Sequence, residues 1–149
     1  GIGLTLGKMG RIDESIAHLQ EVVRIKPDFV EAHINLGVAL DRVGRTPEAM
    51  ERFRQALKIE PDSVSALDNL GLDLGRMNRI PEAVELFRKA VRLAPDSAAP
   101  HSHLGIALMR TGRLEEAQEQ FREALKINPD DAQAQAGLES IRARLREGR

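Results

Sequence analysis

The chain contains no cysteine, no tryptophan and no tyrosine, and only four phenylalanines. Without cysteine there are no disulfides, no zinc–thiolate sites and no cysteine nucleophile. Three of the phenylalanines, Phe53, Phe87 and Phe121, are spaced like core packing and not like a stacking platform for nucleic-acid bases. Charge of one sign is also missing. The 22 Lys and Arg are balanced by 23 Asp and Glu, so no global basic field points to nucleic acid and no acidic tail is present. No apolar run approaches the roughly 20 residues needed to span a bilayer, and no signal peptide is visible. These absences leave the compartment open, with the cytoplasm the reading they lean to.

What the chain does have is a period. Pro27, Pro61, Pro95 and Pro129 recur at steps of 34 residues, each followed by aspartate (Asp28, Asp62, Asp96, Asp130). A fixed step of this size marks a repeat array. With the proline at position 32 of a 34-residue unit, the units are 1–29, 30–63, 64–97 and 98–131, with a remnant over 132–149. The first unit lacks its opening five positions, so the sequence reads as a piece of a longer protein. The other positions fall into line. Position 8 is Gly3, Gly37, Gly71 and Gly105; position 20 is Ser15, Ala49, Ala83 and Ala117; position 24 is Leu19, Phe53, Phe87 and Phe121; position 27 is Val22, Ala56, Ala90 and Ala124.

Spacing within a unit is helical: Leu36, Leu40 and Val43, then Ala49, Phe53, Ala56 and Leu57. Between them Gly44 can take the left-handed conformation that ends a helix, and Asn78 fills the same place one unit later. Thr46-Pro47-Glu48 reads as N-cap, first-turn proline and acidic first turn. The spacing therefore predicts antiparallel helix pairs over 31–43 and 47–59, 65–77 and 81–93, and 99–111 and 115–127. Glycine in a helix costs about 1 kcal/mol relative to alanine. Its recurrence at position 8 implies close approach of the two helices, with the glycine expected to face the small residue at position 20. Residues 132–149 read as a last amphipathic helix with Leu138, Ile141 and Leu145 inside and a polar outer face. Glu48–Arg52 and Glu85–Lys89 are expected surface pairs.

Together these positions resemble the tetratricopeptide repeat over the whole chain, most closely in HINLGVAL (33–40), PEAMERFRQAL (47–57) and IEP (59–61). Departures are His33, Leu67 and His101 at position 4, where the family often has tryptophan, and leucine throughout position 11. The resemblance implies an all-α, right-handed superhelix of helix pairs. Its first helices would line a concave groove that holds a peptide or partner protein. By that analogy the groove is lined at position 6 by Asn35, Asn69 and His103, at position 9 by Val38, Leu72 and Ile106, and at position 13 by Arg42, Arg76 and Arg110.

An amide can both donate and accept, so Asn35 and Asn69 can grip a peptide backbone whatever its side chains; this is similar to the asparagine ladder of O-linked N-acetylglucosamine transferase. The alternative is that they are simply solvated. The arginines can bind acidic groups, complement the dipoles of their own helices, or both. The chaperone-binding members' two-carboxylate clamp finds Ile34, Val38, Asn69, Ala99 and His103 at its positions, and only Asn69 matches. Binding to chaperone tails is not expected.

His18, His33, His101 and His103 have no metal-ligand spacing, and no nucleophile meets a base. The expectation is a non-enzymatic interaction scaffold, without cofactor or metal, that binds protein or peptide and neither nucleic acid nor membrane. Two alternatives stand beside it. One is the substrate-binding arm of a larger enzyme such as an O-GlcNAc-transferase-like glycosyltransferase. The other is a self-assembling structural protein, joined through the uncapped N-terminal repeat end to end or by exchange of a segment.

Overall fold

The computed structural model describes the backbone of residues 2–147 and the side chains of residues 10–147. Among the described residues all regular structure is helical: α1 (Ile2–Ile25), α2 (Val30–Arg42), α3 (Thr46–Ile59), α4 (Val64–Arg76), α5 (Ile80–Leu93), α6 (Ala98–Arg110), α7 (Leu114–Ile127) and α8 (Ala132–Glu147). From α2 to α7 the boundaries lie within a residue of those read from the period. The chain divides into two compact units, residues 1–69 and 70–149, with the sequence boundary falling within α4.

The turn inside each pair is the same motif three times. Gly44 (φ +79°), Asn78 (φ 60°) and Gly112 (φ +78°) take the left-handed conformation. The next amide then reaches back five residues: Arg45 N–H to the Leu40 carbonyl (2.9 Å), Arg79 to Leu74 (2.8 Å) and Arg113 to Leu108 (3.0 Å). These are Schellman closures, which satisfy carbonyls left over at the helix end.

Thr46 does not cap α3. It is the helix's first residue, and its hydroxyl donates to Asp41 Oδ1 (2.8 Å). The start of each second helix is held instead by an arginine–glutamate pair. Arg45 holds Glu48 (2.6 Å), Arg79 holds Glu82 (2.5 Å) and Arg113 holds Glu116 (2.6 Å). Glu48 thus takes Arg45 as its hydrogen-bonded partner rather than Arg52, and Glu85 lies 3.8 Å from Arg88.

Between pairs, each proline occupies the second place of a tight turn. Phe29, Ser63, Ser97 and Asp131 return their amides to the carbonyls of Lys26, Glu60, Ala94 and Asn128 at 3.1–3.2 Å. Proline's fixed φ suits that place. The residues at position 4 fasten these turns. His33 Nε2 donates to the Pro27 carbonyl (2.8 Å), His101 Nε2 to Pro95 (3.0 Å) and Gln135 Nε2 to Pro129 (2.9 Å). The departure from tryptophan therefore has a structural use.

The core is built from positions 20, 24 and 27: Ala49, Phe53, Ala56, Ala83, Phe87, Ala90, Ala117, Phe121 and Ala124 are all buried. The position-8 glycines do not face the position-20 alanines as their main contact. A β-carbon on Gly37 would stand 2.5 Å from the Phe53 ring, on Gly71 2.6 Å from Phe87, and on Gly105 2.5 Å from Phe121. Each glycine is the flat seat of a phenyl ring four residues beyond the alanine. Gly137 of α8 closes on Phe121 from a second helix. In α8 Leu138 and Ile141 are buried as expected, whereas Leu145 is 48% exposed.

The amino end departs from the pattern of the later units. Gly10 occupies the register of Gly44 and Gly112, yet α1 runs through it as one helix of 24 residues. The first unit has no turn there. Side chains of Gly3 and the other residues up to 9 lie outside the described set.

Candidate functional site

In the second compact unit, three successive first helices converge on a pocket of ≈180 Å³. From α4 come Leu72 and Arg76, from α6 His103, Ile106 and Arg110, and from α8 Gln133. The 34-residue period puts equivalent positions of successive first helices at one level, so an apolar floor and a basic rim repeat from helix to helix. Leu72 and Ile106 are half-buried, while Arg76 and Arg110 are exposed. At the base the His103 ring lies against Phe87, centroids 5.6 Å apart. Five of the nine groove residues expected from the sequence thus share one pocket.

The arginines are positioned by different means. Arg110 crosses to the preceding first helix, donating to the Gly75 carbonyl (2.8 Å) and to Asn78 Oδ1 (3.2 Å). It therefore complements the carboxyl end of α4, a neighbour's dipole rather than its own. Arg76 pairs with Asp73 Oδ1 at 2.8 Å, and that carboxylate side chain is only 2% exposed. A buried carboxylate is retained where a cation and hydrogen bonds compensate it. Asp73 escaped the sequence reading; its signal was a lone acid inside the apolar stretch LGLDLG (70–75).

In the first compact unit Asn35, Val38 and Arg42 line a separate pocket of ≈360 Å³ with Ile12, Ser15 and Leu19 of α1. Asn35 also borders an acidic depression with Asp28, Glu31 and Glu60. Asn69 lines neither; its amide nitrogen donates to the Ser65 carbonyl one turn back (2.8 Å). The two asparagines that look equivalent in sequence thus have different surroundings.

Three family profiles match. One described as TPR repeat covers residues 3–44, and two described as tetratricopeptide repeat cover 30–63 and 76–141. The chain belongs to the tetratricopeptide repeat family. Its fold is shared with solved structures. "Crystal structure of MamA" superposes with a TM-score of 0.81 over 95% of this chain and 82% of that one, at 21% identity. "MamA RS-1 ArsTM double mutant" gives 0.82 over 96% and 80%, at 24% identity. A Thermobaculum terrenum O-GlcNAc transferase mutant gives 0.72 at 30% identity, over 75% of this chain but 22% of the transferase. A search of curated proteins returned no match. Tetratricopeptide repeats as a fold serve protein interaction, and the described helices here supply the paired scaffold for it.

Proposed function

We propose that the chain is a non-catalytic interaction module of four tetratricopeptide units, 1–29, 30–63, 64–97 and 98–131, followed by a capping helix, and that it holds an extended protein segment on the faces of its first helices. The observation that carries this is the pocket built by α4, α6 and α8. Leu72 and Ile106 offer an apolar floor that takes one aliphatic or aromatic side chain. Arg76 and Arg110 at its rim favour an acidic group or a chain terminus beside that side chain. Neither nucleic acid nor membrane is part of this reading.

The test is selection from a displayed peptide library, followed by affinity measurement on variants. Ile106→Asp places an unpaired charge on the floor and is expected to weaken binding at least tenfold. Arg76→Ala and Arg110→Ala are expected to remove any preference for acidic residues. Selected peptides that bind the Ile106→Asp protein as well as the wild type would refute the assignment.

A second reading is favoured by the likeness to the transferase, the most similar in sequence of the three structures above. The chain would then be the substrate-holding arm of a larger glycosyltransferase. The chain spans only 22% of that structure. A glycosyltransferase domain encoded beside this segment would decide for it.

A further inference from the structure

In the three turned pairs the second helix is sealed by its own first helix. Ala49, Ala83 and Ala117 are fully buried, and Phe53, Phe87 and Phe121 are at most 3% exposed beneath their glycines. The equivalent residues of α1, 34 positions earlier, are Ser15 and Leu19. Ser15 is exposed and Leu19 only half-buried. With Ile12 they form one wall of the ≈360 Å³ pocket, facing Asn35, Val38 and Arg42 of α2. This pocket is the seat of a first helix, and no first helix of the described residues lies over it.

The cause lies at Gly10. Where Gly44, Asn78 and Gly112 turn the chain back, Gly10 remains helical with nothing within 4 Å of its would-be β-carbon. Residues 2–9 therefore continue α1 along its own axis, away from the seat. Yet their sequence, IGLTLGKM, carries the register of the segments that fill the equivalent seats: LGVALDRV (36–43), LGLDLGRM (70–77) and LGIALMRT (104–111). Each has Leu or Ile, then Gly, then Leu three residues on.

We propose that residues 2–9 of a second copy of this chain occupy the seat, and reciprocally, in a helix-exchanged dimer. Each copy holds one uncovered seat and one segment of matching register, so a two-fold exchange satisfies both. Return of a copy's own segment would require unwinding α1 at Gly10 and breaking its helical hydrogen bonds there. Exchange buries the same apolar surface and keeps α1 whole.

The chain lacks cysteine, so a reporter pair is clean. Gly3→Cys and Leu19→Cys together place thiols at the register where Gly37 meets Phe53. On oxidation the double variant is expected to run as a covalent dimer in a non-reducing gel. Unmodified protein is expected, by sedimentation, to shift with concentration from the 16.5 kDa chain mass towards twice that value. Gly10→Ala, which disfavours the turn, is expected to keep or raise the dimer fraction. A disulfide closed within the monomer, or wild-type mass fixed at that of one chain at all concentrations, overturns the proposal.

Discussion

Replacing Gly71 by alanine sets two effects against each other inside one helix. Helix propensity favours the variant by about 1 kcal/mol. Packing opposes it. The added methyl would stand 2.6 Å from Cε1, 2.9 Å from Cζ and 3.0 Å from Cδ1 of Phe87. Carbon contacts are best at about 3.5–4.0 Å, so the ring must retreat by about 1 Å. It has little room to do so, since Phe87 is 3% exposed and its ring faces His103. Overpacking of this kind costs about 1–3 kcal/mol, so packing wins by about 1 kcal/mol in the middle of that range. The expected loss in melting midpoint is about 2–4 °C for a chain of this size.

Gly75 is the control, four residues along the same helix, helical and with nothing within 4 Å of a new methyl. Gly75→Ala keeps the carbonyl that Arg110 holds and is expected to raise the midpoint. Thermal melts followed by circular dichroism, supported by urea unfolding, read both variants. A Gly71→Ala protein that melts at or above the wild type, or Gly71 and Gly75 variants that shift alike, would refute the reasoning.

His101→Leu leaves the Pro95 carbonyl and Gln120 without their ring partner and is expected to cost about 1 kcal/mol in urea unfolding. His33→Leu is expected to cost less, because it gives up one bond, to the Pro27 carbonyl, together with an Nδ1 that has no hydrogen-bond partner, and leucine already fits this position as buried Leu67. Equal losses in the two variants would count against that account. The Glu48 and Glu116 carboxyls are held below their ordinary range by hydrogen bonds from Arg45 and Arg113. Depressed carboxylates stabilise above their ordinary value of about 4.3, and that contribution is lost as pH falls through the lowered value. Glu48→Gln with Glu116→Gln is therefore expected to melt slightly lower than wild type at neutral pH, with the gap closing in acid. The effect is small because these pairs are solvent-exposed. A gap that widens in acid would contradict the sign.

Much of the fold was legible because its signals are local and repeated. Gly44 and Asn78 announce left-handed turns through their own backbone freedom, and Pro61 announces a tight turn through its fixed φ. The candidate site was legible only as a set of positions. Leu72, Arg76, His103, Ile106 and Arg110 were named from the repeat, and they share a pocket. What Arg110 does there was not legible, because its partner carbonyl at Gly75 lies on another helix 35 residues away. His33 and His101 looked like mere departures from a pattern, because their acceptors are backbone carbonyls, which no sequence position distinguishes.

By itself the sequence determined the unit length, the helix pairs from α2 to α7 and the turns between them, since each follows from the chemistry of a few adjacent residues. Only the tertiary structure decided that the position-8 glycines seat phenyl rings, that Glu48 takes Arg45, and that Leu145 stays exposed. Those outcomes depend on how far one helix is offset along another, and a period fixes register along the chain, not offset across it. The same reason governs α1. The glycine, arginine and glutamate of the turn recur at Gly10, Arg11 and Glu14, but a turn holds only where the helix it returns finds enough buried surface. Through Gly10 the helical hydrogen bonds of α1 prevail instead.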